Sequence, residues 1–389
     1  MADQKQVKVF VSFITPYLYG MERSIIQQSA LLQPEIISHL FMTYTTQRLN
    51  LPVLDAVKTA GIPYSFLSDK TDWPTPRKPR SFREALSIIR ALILGSRDAF
   101  FASRGFDILY TPSLRSIYSL LPTLIAYRLL GKPTVYAFHD TLGKPSRLLQ
   151  YIGPLVSHYI FYSNYTKSQF VAHNSWATMR EMPVIPNVVT YNPTSAPSPL
   201  LSYPKSILYL GQIARYKGAD LLIEAFRQIS ATYPTATLHF LGEPHTDFKS
   251  DFDSLISSAD LAGRVVHWGY REDVHDFLKE AYIFVQPSRP SMFAESFGRG
   301  VVEAMAAGVP SVCFKSGALT EHVLDGETGL VCNDETAECL AANLHKLLDD
   351  EHLRDRLGSK AQERYQKHYA VDVIRQRWVT YFQGLKTKI

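Results

Sequence analysis

What most limits the fold of this chain is a repeated alternation. Short apolar runs that end in polar or glycine-containing turns are separated by stretches of helical periodicity. Residues 7–13, 38–43, 64–67, 107–111, 134–140 and 159–163 read as such strands, and so do 206–210, 237–242, 265–269, 283–285, 311–314 and 329–332. Continuous apolar runs of this length suit strands buried on both faces. Strands that alternate with helices build βα units around a parallel sheet. At 389 residues the chain exceeds the size at which one core stops growing, so two domains are expected. Residues 192–205, NPTSAPSPLLSYPK, are rich in proline and serine and mark an interdomain linker. The expectation is an α/β protein of two Rossmann-like domains, residues 1–190 and 206–370, joined by residues 191–205.

The most informative stretch is 282–310, YIFVQPSRPSMFAESFGRGVVEAMAAGVP. Its apolar run Ile283-Phe284-Val285 turns polar at Gln286-Pro287-Ser288, as a buried parallel strand does at a sheet edge. A helix pattern follows from about Phe297 to Ala307 and is stopped by Gly308 and Pro310. Glu295 stands at the mouth of that helix and Glu303 lies inside it. At ~1.5 Å per residue the two are on the order of 12 Å apart along the axis. An acid/base pair on one glycosidic bond needs roughly 5–9.5 Å, so this spacing instead suits two carboxylates gripping opposite ends of one elongated ligand. The helix start between them, at Ser296, Phe297 and Gly298, favours an anionic centre. A sugar nucleotide has that layout, with hydroxyls at both ends and a diphosphate between them.

The block from Glu295 to Pro310 closely resembles the E-x7-E signature of family-4 glycosyltransferases, retaining enzymes of the two-Rossmann GT-B architecture. The likeness covers most of residues 206–370 strongly and 1–190 weakly. It implies domains facing across a cleft, with the last helix, 371–389, crossing back to the first domain. It also implies a nucleotide-sugar donor, with Glu295 by the donor sugar and Glu303 on the ribose. Residues 211–226, GQIARYKGADLLIEAF, set a glycine turn and a lysine before a helix, an arrangement that cradles phosphate. They resemble the family's Gly-Arg…Lys-Gly element, with Gly211 and Lys217 matching. The arginine position holds Gln212, and Arg215 on the same loop is the candidate to supply the missing charge.

In the first domain the strand 134–140 ends in His139-Asp140 at its carboxyl edge, outside which ligands of open α/β sheets bind. His139 occupies the place where the resembled family carries a histidine near the donor sugar; the alternative is a histidine satisfied in a loop. Gly20, between the first strand and first helix, lets backbone approach a ligand. The resemblance points that loop, residues 17–23, at the diphosphate and acceptor, although the second glycine of the family is absent here. Val188 likewise replaces a glycine usual at the domain junction.

The net charge of +5 hides an asymmetry: residues 1–200 hold 20 Lys and Arg against 11 Asp and Glu, and the remainder 21 against 25. After the proline-rich basic loop 71–80, arginines recur at Arg83, Arg90, Arg97 and Arg104 along one helix face. Leu86, Ile89, Ile93 and Phe100 are interleaved with them, next to Trp73 and Phe101. A basic ridge with aromatics lies well on an anionic membrane surface. The alternative is a solvated face whose arginine stems cover core residues. The resemblance favours the membrane, because such enzymes glycosylate lipid-linked acceptors through a basic amino-terminal domain.

Other classes find little support. Asp251-Phe252-Asp253 fits the metal-bridging Asp-x-Asp string but falls in a polar helix pattern. No zinc-protease histidine pair, nucleophile elbow or nucleic-acid module is present. Three cysteines, Cys313, Cys332 and Cys339, fit reduced thiols. The polar amino terminus lacks a signal-peptide core and no run of ~18 apolar residues occurs, so a cytoplasmic protein, peripheral on the inner membrane face, is expected. Residues 117–130 are read as a buried helix. The resulting expectation is a retaining glycosyltransferase, without cofactor or metal, acting on a glycan or lipid-linked acceptor. A non-catalytic GT-B relative and a GT-B sugar-nucleotide epimerase are the alternatives.

Overall fold

The computed structural model describes residues 6–13, 20–42, 52–66, 81–113, 117, 120–139, 147–179, 181–258, 260–261 and 263–387. The basic loop 71–80, the turn 17–19, Trp73 and Asp140 lie outside the described residues. The chain divides into two units, residues 1–188 with 374–389, and residues 189–373.

The first unit alternates β1 (Val7–Phe13), α1 (Gly20–Leu31), β2 (Ile36–Met42), α2 (Pro52–Thr59), β3 (Tyr64–Phe66), α3 (Phe82–Ala102), β4 (Ile108–Thr111), α4 (Leu121–Leu129), β5 (Thr134–Phe138), β6 (His158–Phe161) and α5 (Asn164–His173). Its six strands are all parallel, in the order β3-β2-β1-β4-β5-β6. Strand register follows burial: β4 and β5 are buried at every position, as a sheet covered on both faces requires. Helix α5 starts where Ser163 Oγ accepts the Thr166 N–H, a side-chain N-cap.

The second unit repeats the plan with β7 (Lys205–Leu210), α6 (Ala219–Ser230), β8 (Ala236–Leu241), α7 (Lys249–Ile256), β9 (Val265–His267), β10 (Ile283–Gln286), α8 (Arg299–Ala307), β11 (Ser311–Phe314), β12 (Gly329–Cys332), α9 (Ala337–Asp349) and α10 (Glu351–His368). Its strand order is β12-β11-β10-β7-β8-β9, again all parallel. In both sheets the winding reverses beside the first strand, between β1 and β4 and between β7 and β10. The core of this unit joins α6 and α9 to the sheet through Leu222, Phe226, Phe240, Val285, Leu340 and Leu344. Thr336 and Asp350 cap α9 and α10 by accepting the N–H groups of Cys339 and Leu353.

The final helix, α11 (Val371–Lys386), returns to the first unit for most of its length. Trp378 is fully buried there, edge-on to Tyr110. Arg375 pairs with Glu35, and Lys386 Nζ lies 2.9 Å from Asp107.

Two expectations need correction. The segment expected as a linker is bonded to the second unit: the Thr194 N–H and hydroxyl both donate to the buried Asp276 carboxylate, at 2.6 and 2.8 Å. Lys279 Nζ donates to the carbonyls of Thr194 and Ala196. Proline and serine limit helix and strand but leave backbone groups that a neighbouring side chain can satisfy. The stretch 117–130 is not wholly buried either. On α4, Thr123, Leu124 and Tyr127 face inward, whereas Leu129 is 83% exposed.

Candidate functional site

Strands β7 and β10 are neighbours at the winding reversal of the second sheet, with Ile207 and Leu208 in register with Ile283 and Phe284. In an open α/β sheet the loops leaving the carboxyl ends of two such strands diverge and open a crevice between them. Lys217 comes from the loop after β7 and Glu295 from the loop after β10. Their side chains meet: Lys217 Nζ donates to Glu295 Oε1 at 2.5 Å, with side-chain exposures of 21% and 8%. The same oxygen accepts from Gln286 Nε2 at 3.0 Å and from Ser288 Oγ at 2.6 Å. One carboxylate oxygen thus collects three donors, which anchors the carboxyl group and fixes its orientation.

Close contact between the two loops makes this possible. Gly218 has φ +74°, and a Cβ there would lie 1.9 Å from the Pro287 carbonyl oxygen. Only glycine lets the β7 loop pass so near the β10 loop at that φ. The aromatic rings of Tyr216 and Phe293 flank the lysine, with Nζ 4.2 Å from the Phe293 ring centre. With Gln212 and Met292 they line an open pocket of about 600 Å³. Tyr216 donates to the Gln212 side-chain oxygen, and burial together with the Glu295 charge raises the Tyr216 pKa.

Helix α8 begins immediately beyond. Gly298, at φ +80°, is its N-cap, and no side chain caps the helix. The first turn carries no acidic residue, so its amide end is free of competing carboxylates there. Phe297 is buried, and its carbonyl accepts from His322 Nε2 at 2.5 Å. That bond requires the proton on Nε2, so Nδ1 accepts from the Tyr369 hydroxyl at 2.8 Å. Burial lowers the His322 pKa to about 4 and keeps the ring neutral in this role.

The remaining expected residues are placed as follows. Glu303 lies inside α8 and is 5% exposed; its Oε1 accepts from Arg299 Nε at 2.8 Å. Gly211 follows β7 at φ +138°, its N–H donating to the Leu241 carbonyl. Arg215 does not join Lys217 in a contact. Its guanidinium bonds Asp251 at 2.6 Å and Asp220 at 3.4 Å and covers the Phe248 ring. Gly20 is the first residue of α1. His139 follows β5 in the first unit, its ring 4.1 Å from that of Tyr162. Burial lowers its pKa to about 3, and its Nε2 has no hydrogen-bond partner among the described residues. Arg83, Arg90 and Arg97 are exposed on α3, and Arg104 follows the helix with its guanidinium 4.5 Å from the Phe101 ring centre.

Four site residues were not singled out from the sequence: Gln286, Ser288, Tyr216 and Phe293. The polar turn Gln286-Pro287-Ser288 was visible as the end of a strand. Only the fold shows that its side chains converge on the carboxylate nine and seven positions later. Arg289 is a further case, bonding Asp220 at 2.8 Å and so tying the β10 loop to the start of α6.

Residues 194–364 match the family model of Glycosyl transferases group 1. Over 188 residues the chain is 29% identical to the mannosylfructose-phosphate synthase of Agrobacterium fabrum, covering 46% of this chain and 40% of that protein. It is 28% identical over 167 residues to the lipopolysaccharide core biosynthesis mannosyltransferase LpsB of Rhizobium meliloti, covering 42% and 46%. These matches span less than half the length of either relative. Anabaena HepE, solved in complex with UDP and glucose, superposes with a TM-score of 0.76 over 97% of this chain and 100% of its own, at 20% identity. By sequence over residues 194–364, and by fold over nearly its whole length, the chain is similar to glycosyl transferases of group 1 and has the GT-B architecture of two Rossmann-like sheets.

Proposed function

We propose that the chain is a family-4, retaining glycosyltransferase that works without a metal ion, taking sugar from a nucleotide-sugar donor to a glycan or lipid-linked acceptor in polysaccharide or glycolipid synthesis. The observation that carries this reading is the meeting of Lys217 and Glu295 at the β7/β10 reversal, beside the uncapped start of α8. The names of the relatives and the UDP of the Anabaena complex support the class of donor and product.

In this scheme the donor diphosphate draws Lys217 from Glu295 and rests against the first amides of α8. Glu295, still held by Gln286 and Ser288, orients a hydroxyl of the donor sugar. Glu303 accepts from the ribose hydroxyls, sharing its charge with Arg299. The anomeric carbon–oxygen bond to the diphosphate breaks while the acceptor oxygen bonds the same face of that carbon. The acceptor proton passes to the departing phosphate oxygen. Lys217 and the helix amides stabilise the charge that develops there, a contribution that is often the largest in catalysis. His139, kept neutral by burial, is the first unit's own candidate for an uncharged hydrogen bond to a sugar. Arg215, engaged by Asp220 and Asp251, stiffens the β7 loop, and the diphosphate charge falls mainly on Lys217.

The test combines two measurements. In a thermal-shift panel of nucleotide sugars, the true donor at 100 times its Kd stabilises by about 2.7 kcal/mol. Incubation of that labelled donor with glycan and lipid-linked acceptors, with and without a chelator, then reports turnover and anomeric configuration. An inverted product removes the retaining mechanism, and loss of turnover in chelator removes metal independence. Binding without turnover favours a non-catalytic relative, a reading that Gln212 supports because it brings no charge to the arginine position.

A further inference from the structure

The approach to α8 is held by a single stretch of chain. Three alternate carbonyls of residues 293–297 each accept a hydrogen bond from residues 316–322. The Phe293 carbonyl accepts from Ser316 Oγ at 3.2 Å, that of Glu295 from the Ala318 N–H at 2.8 Å, and that of Phe297 from His322 Nε2 at 2.5 Å. The two segments pack closely: a Cβ on Gly317 would lie 2.2 Å from the Glu295 carbonyl oxygen, and one on Gly298 would lie 2.3 Å from Leu319 Cδ2. His322 ends the one-turn helix Leu319–His322 and is 2% exposed. Its Nδ1 accepts from the Tyr369 hydroxyl at 2.8 Å, so the ring is fixed at both nitrogens. The Phe297–Gly298 peptide is trans, and in a planar trans peptide the C=O and N–H bonds point in opposite directions. Turning the Phe297 carbonyl towards His322 therefore turns the Gly298 N–H away from that ring. Gly298 is buried, and its N–H has no acceptor among the described residues. Buried backbone N–H groups are nearly always paired, so this one is available to an anion. A second polar group at the first turn of α8 also lacks a partner. Gln286 is 9% exposed, and its Oε1 lies 3.4 Å from where a Cβ on Gly300 would stand.

We propose that His322 is a positioning residue for the donor diphosphate: by holding the Phe297 carbonyl it aims the Gly298 N–H at a phosphate oxygen. The inference rests on the donor-site reading above and adds to it the group that sets the direction of the amide. Gly298 cannot set that direction itself. It is the N-cap at φ +80°, it has no side chain, and no other side chain caps the helix. A glycine backbone is permissive, so without a partner for the Phe297 carbonyl the peptide plane is free to turn. An imidazole suits the task because it donates from one nitrogen and accepts at the other while carrying no charge. It thereby joins the Phe297 carbonyl to Tyr369 across a buried site, without adding a cation that would compete with Lys217 for the phosphate.

The experiment measures binding of UDP, GDP and ADP to the full chain by calorimetry, each against its own nucleoside. His322→Asn puts an amide near the place of Nδ1, within reach of Tyr369, but is too short for the Phe297 carbonyl. His322→Gln carries an amide N–H to the place of Nε2. The Asn variant should bind the preferred diphosphate roughly tenfold more weakly, the worth of one hydrogen bond to a charged group, with nucleoside binding unchanged. The Gln variant should recover most of that loss. A second measurement needs no variant. Phe297-Gly298 is the single Phe-Gly pair in the sequence, so isotope labels on the Phe carbonyl carbon and the Gly nitrogen isolate the Gly298 amide in an NMR correlation spectrum. The diphosphate should displace that signal and the nucleoside should not. A signal unmoved at saturating diphosphate overturns the proposal. So does parent-like diphosphate binding by the Asn variant, or an equal loss of diphosphate and nucleoside binding. In each of these cases the parent binds diphosphate and the donor-site reading stands. A parent that binds none of the three diphosphates overturns that reading and this inference with it.

Discussion

Replacing Gly218 by alanine tests whether the approach of the β7 and β10 loops holds the site together. Two costs are separable. A non-glycine residue in the left-handed region costs about 1–2 kcal/mol. In addition, the new Cβ would stand 1.9 Å from the Pro287 carbonyl oxygen, against a closest real approach of 3.0 Å, so that backbone must retreat by about 1.1 Å. Forcing packed groups apart typically costs about 1–3 kcal/mol more. The total is about 2–5 kcal/mol for the second unit. Gly326 is the control, at φ +73° against +74° for Gly218, with nothing within 4 Å of its added Cβ. Gly326→Ala should therefore show the conformational cost alone. Denaturant unfolding of the two variants measures the difference. The displacement also exceeds what the 2.5 Å contact between Lys217 and Glu295 tolerates. A misplacement of ~1 Å can cost on the order of 10²-fold in rate, so sugar transfer should fall by that order in Gly218→Ala and little in Gly326→Ala. Equal stability losses with equal activities would refute the reasoning.

Three further predictions follow from the same geometry. Lys217→Met should lower turnover on the order of 10²–10³-fold, with partial recovery in Lys217→Arg; turnover at the parent rate would remove the lysine from the chemistry. His322 should make stability fall with acid. Its folded pKa of about 4 lies below the ordinary 6.5, so the unfolded chain binds the proton first. The stabilisation is complete above about pH 6.5 and is lost as pH falls towards 4, about 3 kcal/mol in all, and a melting series of the parent against His322→Asn should show a flatter acid limb in the variant. Asp276→Ala leaves the Thr194 N–H and hydroxyl without their acceptor. It should cost about 1–3 kcal/mol and open residues 192–198 to limited proteolysis; protease resistance equal to the parent's would show that other contacts hold the segment.

The alternation of apolar runs with helical patterns was enough to place the strands, because a strand buried on both faces cannot hide its composition. Strand β1 has the expected bounds, and β10 ends at the polar turn that marks it. The pairing of sequence blocks into two sheets was legible for the same reason. Residues 191–205 were not, since a proline- and serine-rich segment looks alike whether it spans solvent or is pegged by Asp276. Arg215 shows a similar limit: its place on the phosphate-type loop was readable, but its engagement by Asp251, 36 positions away, was not.

Taken alone, the amino-acid order determined the fold class, the glycine turns and the presence of a lysine and a glutamate on loops at strand ends with a second glutamate inside the following helix, because periodicity and backbone conformation are local properties. Tertiary structure alone decided which of these groups share a site. Lys217 and Glu295 lie 78 residues apart and touch because the winding order makes β7 and β10 neighbours. It likewise decided that Leu86, Ile89 and Ile93 of α3 are exposed while Gly95, Ser96 and Ala99 are buried. A helix pattern shows that one face is apolar, but which face is covered depends on what packs against it.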